Sequence, residues 1–109
     1  MAGLDDKVLA SWNGLMVRGI AEAARAFGRS DYRDVAVRSA TFLFDRMVSD
    51  RRVFRSFKNG QARIAGCLED HAALGLAAIA VYELTFDAAW LDHARAMAAS
   101  VVKWFGACR

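Results

Sequence analysis

Little in this sequence is set up for redox or metal chemistry. The two cysteines, Cys67 and Cys108, lie 41 positions apart and form neither a CxxC nor a zinc-type pair. Small buried or surface thiols are the expectation. No glycine-rich phosphate loop, HExxH or GxSxG stretch occurs, which removes the usual nucleotide, zinc-protease and serine-hydrolase signatures. His71 and His93 fall on different predicted helices, so neither a shared metal nor any cofactor is expected. Long apolar runs are missing too: residues 72–82 form the longest, at 11 residues, against the roughly 20 that a membrane-spanning helix needs. The opening MAGLDDKVLA places Asp5 and Asp6 where a secretory signal requires uninterrupted apolar residues. A cytoplasmic protein with no membrane partner is the default expectation.

What is present is apolar. Of 109 residues, 56% are hydrophobic and 11% aromatic, above the ~45–50% of an ordinary soluble domain. A chain this short has room for one domain at most, or part of one. Some of its apolar surface is expected to meet another subunit or the remainder of a longer protein. The net charge of +3 is unevenly placed: residues 51–63, RRVFRSFKNGQAR, carry five basic side chains and no acid. A nucleic-acid groove or a solvated hairpin would both produce this. No recognition motif accompanies it, so nucleic acid is not an expected partner.

Apolar spacing predicts an all-α chain of two αα-hairpins joined by a short β-hairpin. The first helix, about 11–27, has Ser11 as a candidate N-cap and stops at Gly28. Trp12, Met16, Ile20, Ala23, Ala24 and Phe27 form its apolar stripe, with Arg18, Glu22 and Arg25 opposite. The second, about 31–49, has Ser30 or Asp31 as cap and a stripe through Tyr32, Val35, Ala36, Ala40, Leu43 and Met47. The short link between them makes the pair antiparallel. Asn59-Gly60 signals a type I′ turn within about 53–64, pairing Lys58 with Gln61, Phe57 with Ala62 and Arg55 with Ile64. The third helix, about 68–84, is apolar all round and is predicted to be buried on every side. The fourth, about 88–105, has a stripe through Trp90, Ala94, Met97, Ala98, Val101 and Phe105.

A shift of 58 residues lays Tyr32 on Trp90, Asp34 on Asp92, Ala36 on Ala94, Ala40 on Ala98 and Leu43 on Val101. Repeated αα-hairpins imply a solenoid or a closed toroid, with the odd helices inside and the even ones outside. The same shift lays Ser11-Trp12-Asn13 on Glu69-Asp70-His71. Both clusters then begin inner helices at one rim, where a cleft would lie.

Each rim residue has a plain reading and a chemical one. Glu69 and Asp70 occupy a first turn, where the helix dipole and unpaired N–H groups favour negative charge. The same position suits a carboxylate to act as base or to stabilise a sugar cation. His71 is either a satisfied core histidine or a neutral proton partner. Trp12 is either core or a stacking platform for a sugar. Asn13 and Asp6 cap helices or bind hydroxyls, and Arg55 is either solvated or reaches over the rim.

The stretches LDDKVLASWNGLMVRGIAEAARAFG, FRSFKNG and GCLEDHAAL resemble the C-terminal helical region of thioredoxin-domain-containing proteins related to spermatogenesis-associated protein 20. The resemblance implies a segment of an (α/α)₆ toroid similar to six-hairpin glycosidases and to the N-acylglucosamine 2-epimerase group. No thioredoxin-like part is contained in these residues, so it implies no redox function for them. It places a cleft at Asp6, Lys7, Trp12, Asn13, Glu69, Asp70 and His71. In that cleft Glu69, Asp70 and His71 are the catalytic candidates, while Asp6, Lys7, Trp12, Asn13 and Arg55 contact a saccharide. The expected function is a segment of a glycoside hydrolase-like or epimerase-like domain, inactive alone and self-associating through uncovered inner-helix surface. The competing expectation is a non-catalytic helical scaffold.

Overall fold

The computed structural model describes residues 8–49, 52–58, 61–65 and 68–104. It is mainly α: β1 (Val8–Leu9), α1 (Ala10–Phe27), α2 (Ser30–Arg46), β2 (Val48–Ser49), β3 (Arg52–Lys58), β4 (Gln61–Ala65), α3 (Leu68–Thr85) and α4 (Ala88–Trp104). No described helix is long and apolar enough to cross a membrane.

The sheet is antiparallel and centred on β3. Strand β4 pairs with it, Lys58 opposite Gln61 and Phe57 opposite Ala62, the register that an Asn59-Gly60 turn requires; residues 59–60 themselves lie outside the described residues. Strand β1 pairs Val8 with Phe57, and β2 pairs Val48 with Val53. This last pairing shortens α2, which was expected to reach residue 49. Met47 closes the helix by donating its N–H to the Leu43 carbonyl at 2.9 Å, and its own carbonyl accepts the Phe54 N–H at 2.7 Å. From there the backbone finds its partners in β3, and extended pairing replaces the helix.

Two further boundaries differ from expectation. Ser11 does not cap α1; the N-cap is Leu9, extended at φ −99° because it is still part of β1. Neither Ser30 nor Asp31 is the N-cap of α2; Arg29 occupies that position, and the Asp31 carboxylate accepts the Tyr32 N–H at 3.0 Å. The stop at Gly28 is as read: it adopts φ 65°, and the next N–H, from Arg29, reaches the Ala24 carbonyl at 3.2 Å. Glycine takes this left-handed conformation without a side-chain clash. At the other helix link Phe86 takes φ 58° and ends α3, and the Asp87 carboxylate then caps α4 by accepting the Ala89 N–H at 3.0 Å.

Helices α1 and α3 run side by side in the same direction. Gly14 meets Ala73 near their N-termini, so closely that a Cβ at Gly14 would lie 3.0 Å from the Ala73 backbone. Arg25 pairs with Glu83 at 3.6 Å near their C-termini. That approach displaces the stripe expected for α1, of which Ala24 is buried and Ile20 packs in part against the core. Its buried residues are Ala10, Gly14, Val17, Ala21 and Ala24, whereas Trp12, Met16 and Phe27 are exposed. Only small side chains fit between axes this close, and the large apolar ones are left on the other side. Helix α3 is not covered on all sides either, since Leu76 and Ile79 are each 42% exposed. The core is completed by Leu43 and Phe44 of α2, Met47, Val53, Leu74 and Val81 of α3, and Trp90 and Met97 of α4.

Candidate functional site

The parallel alignment of α1 and α3 places their first turns at one end of the molecule, Gly14 against Ala73. From that end the predicted residues part company. Asp70 and His71 turn inward and are 2% and 4% exposed. The Val53 backbone N–H donates to Nε2 of His71 at 3.2 Å, in buried surroundings. An imidazole nitrogen that accepts has no proton of its own, so this ring carries its proton on Nδ1. The bond fixes β3 to the start of α3 across 18 residues of chain. A buried N–H left without an acceptor would cost about 1–3 kcal/mol.

Trp12 and Glu69 face outward instead, Trp12 being 69% exposed. Asn13 is half-buried; its Nδ2 donates to the Leu9 carbonyl at 2.9 Å. It borders a groove of about 400 Å³ shared with Val35, Arg38, Ser39 and Phe42 of α2. His71 borders a different one, about 320 Å³, between α3 and α4, together with Gly75, Leu76, Ile79 and Met97. The structure therefore joins Asp70 and His71 in the interior, leaves Trp12 and Glu69 on the surface, and assigns Asn13 to the α2 side. Asp6, Lys7, Cys67 and Cys108 lie outside the described residues, as does the side chain of Arg55.

Two features escaped the sequence reading. A wider groove of about 570 Å³, lined by Arg33, Asp34, Arg38, Thr85, Asp87 and Trp90, separates α2 from the α3–α4 link. His93 stacks on Phe44, with ring centroids 4.4 Å apart and planes 27° from parallel, and Trp90 lies 5.3 Å from the same imidazole. The i, i+3 spacing of Trp90 and His93 was the available signal for that cluster. Among the described residues no three or more His, Cys, Asp or Glu side chains gather as metal ligands would.

Fold and site together define a class: a pair of parallel-stacked helical hairpins carrying a small antiparallel sheet, clamped by a buried histidine. Within it the chain is homologous to part of spermatogenesis-associated protein 20. It is 34% identical to the human protein over 101 residues, 84% of this chain. It is 35% identical to both the rat and the mouse proteins over 103 residues, 85% of this chain. The chain spans only 13% of the length of each of these relatives. No protein-family profile matches it.

Proposed function

We propose that this chain is an architectural module, one stretch of a stacked or toroidal series of helical hairpins in a protein similar to spermatogenesis-associated protein 20. The observation that carries the reading is the buried bond from the Val53 N–H to His71 Nε2. A histidine whose Nε2 accepts a backbone amide has that nitrogen committed to the fold, and both His71 and Asp70 are buried. In this reading His71 serves to hold the sheet on the helices. The homology and the internal repeat support a longer series of hairpins, of which an (α/α)₆ toroid is the closed form.

Amide exchange tests this reading. His71→Ala should raise the exchange rate of the Val53 N–H by orders of magnitude and lower the unfolding midpoint. An unchanged rate and midpoint would refute the architectural role.

A second reading is favoured by one observation. Trp12 and Glu69, both exposed, stand at the end shared by the first turns of α1 and α3. An aromatic face and a carboxylate exposed at one end of a molecule are the equipment of a saccharide surface, and a full ring of hairpins would gather further residues around them. In this reading Trp12 stacks on the sugar, Glu69 accepts from its hydroxyls, and the 109 residues bind weakly and catalyse nothing alone. A saccharide library followed by Trp12 indole shifts in NMR tests it, with Glu69→Gln as control. No shift with any sugar leaves the module purely architectural.

A further inference from the structure

The α1–α3 contact joins two different faces, and both recur uncovered elsewhere in the chain. Helix α3 carries a line of small buried residues at helical spacing, Ala73, Ala77 and Ala80, and Ala73 of that line stands against Gly14 of α1. Fifty-eight positions earlier the same line on α1 reads Leu15, Gly19 and Glu22, preceded by Trp12, and all four are exposed. The converse holds for the receiving surface. On the first hairpin Gly14, Val17, Ala21, Ala36, Ala40 and Leu43 are buried. Their counterparts on the second, Ala72, Gly75, Ile79, Ala94, Ala98 and Val101, line the open groove of about 320 Å³ between α3 and α4. Each half of the internal interface thus occurs once filled and once empty.

We propose that a second copy of this chain fills the groove head to tail, the exposed face of its α1 lying on α3 and α4 of the first copy. The proposal rests on the modular reading above. Charge agrees with it: Arg25 on α1 sits 3.6 Å from Glu83 on α3, and position 83 is the counterpart of position 25. The next step of the stack therefore sets Glu83 of one copy opposite Arg25 of the following one, again a favourable pair. Sterics set the spacing. The tight Gly14–Ala73 contact becomes Ala72 against Leu15, so the copies stand farther apart than α1 and α3 do. Leu76 and Ile79 on one side, and Trp12 and Met16 on the other, fill the gap. A contact between unlike faces has no twofold axis to close it, so association continues past the dimer.

The test is sedimentation of the 109-residue chain over a wide concentration range, with Leu15→Arg, Ile79→Arg and their equimolar mixture. Leu15 is 53% and Ile79 42% exposed, so the fold tolerates a charge at either; Met16→Glu and Leu76→Glu provide the same two lesions if one variant loses its helical circular dichroism. The wild type should grow past dimer with concentration, and each variant alone should lose association by more than about tenfold. The mixture should form a one-to-one dimer and nothing larger, because one variant keeps only the groove and the other only the head. A wild type that stays monomeric overturns the proposal. So does a wild-type dimer that stops at two, or a mixture in which no dimer returns. None of these outcomes bears on the His71 bond, whose amide-exchange test is separate.

Discussion

His71 illustrates how a residue's role depends on which atom is occupied. Its Nε2 accepts from a main-chain amide of β3, so loss of the ring strands a buried donor and opens a cavity. His71→Ala should cost roughly 2–4 kcal/mol in urea unfolding. His71→Gln, whose amide oxygen can reach the same N–H, should recover about half of that loss. Sequence placed His71 at a helix start and left its role open between satisfied core residue and proton partner. It could not show the Val53 bond, because the partner is a backbone amide with no side-chain signature. Trp12 misled in the opposite direction. Its spacing with Met16 and Phe27 makes a good apolar stripe, yet all three are exposed, since the distance between α1 and α3 is set by Gly14.

At the scale of elements, the four helices and the β3–β4 register were legible, because periods of 3.6 and 2 and an Asn-Gly pair are local signals. The ends were less so. Helix α2 stops at Arg46 through a pairing with β3 that no local propensity announces. Where a cap is local, its loss is predictable. Asp87→Ala removes the acceptor for the Ala89 N–H and should destabilise the protein by about 1 kcal/mol, read as a lower urea midpoint. At the start of α2, Arg29 reaches the Asp31 carboxylate at 2.7 Å and holds it below the ordinary value of 3.8. A folded-state value below the unfolded one means the contribution is whole above 3.8 and is lost as pH falls through the folded value. Asp31→Asn should therefore unfold at a lower midpoint than the wild type near neutrality and coincide with it in strong acid. Both side chains are more than half exposed, so added salt should shrink the difference.

The whole molecule measures 39 × 35 × 20 Å, its least dimension about two helix diameters. The 58-residue offset was readable in sequence, and so was the common end of α1 and α3. What a repeat cannot convey is which faces of its units remain open, because covered and uncovered copies of a face are written in the same apolar alphabet. Leu76 and Ile79, expected inside, are the example. The approach of Gly14 to Ala73 has a mechanical consequence. The α1–α3 contact and the His71 clamp lie in series along the first turns of α3, so a displacement at one is transmitted to the other. Gly14→Ala, whose new methyl would stand 3.0 Å from the Ala73 backbone, should cost about 1–3 kcal/mol. It should also quicken exchange of the Val53 amide. The missing side chain at Gly14 works as a spacer gauge: it sets how far α3 stands from α1, and thereby where the imidazole meets the sheet.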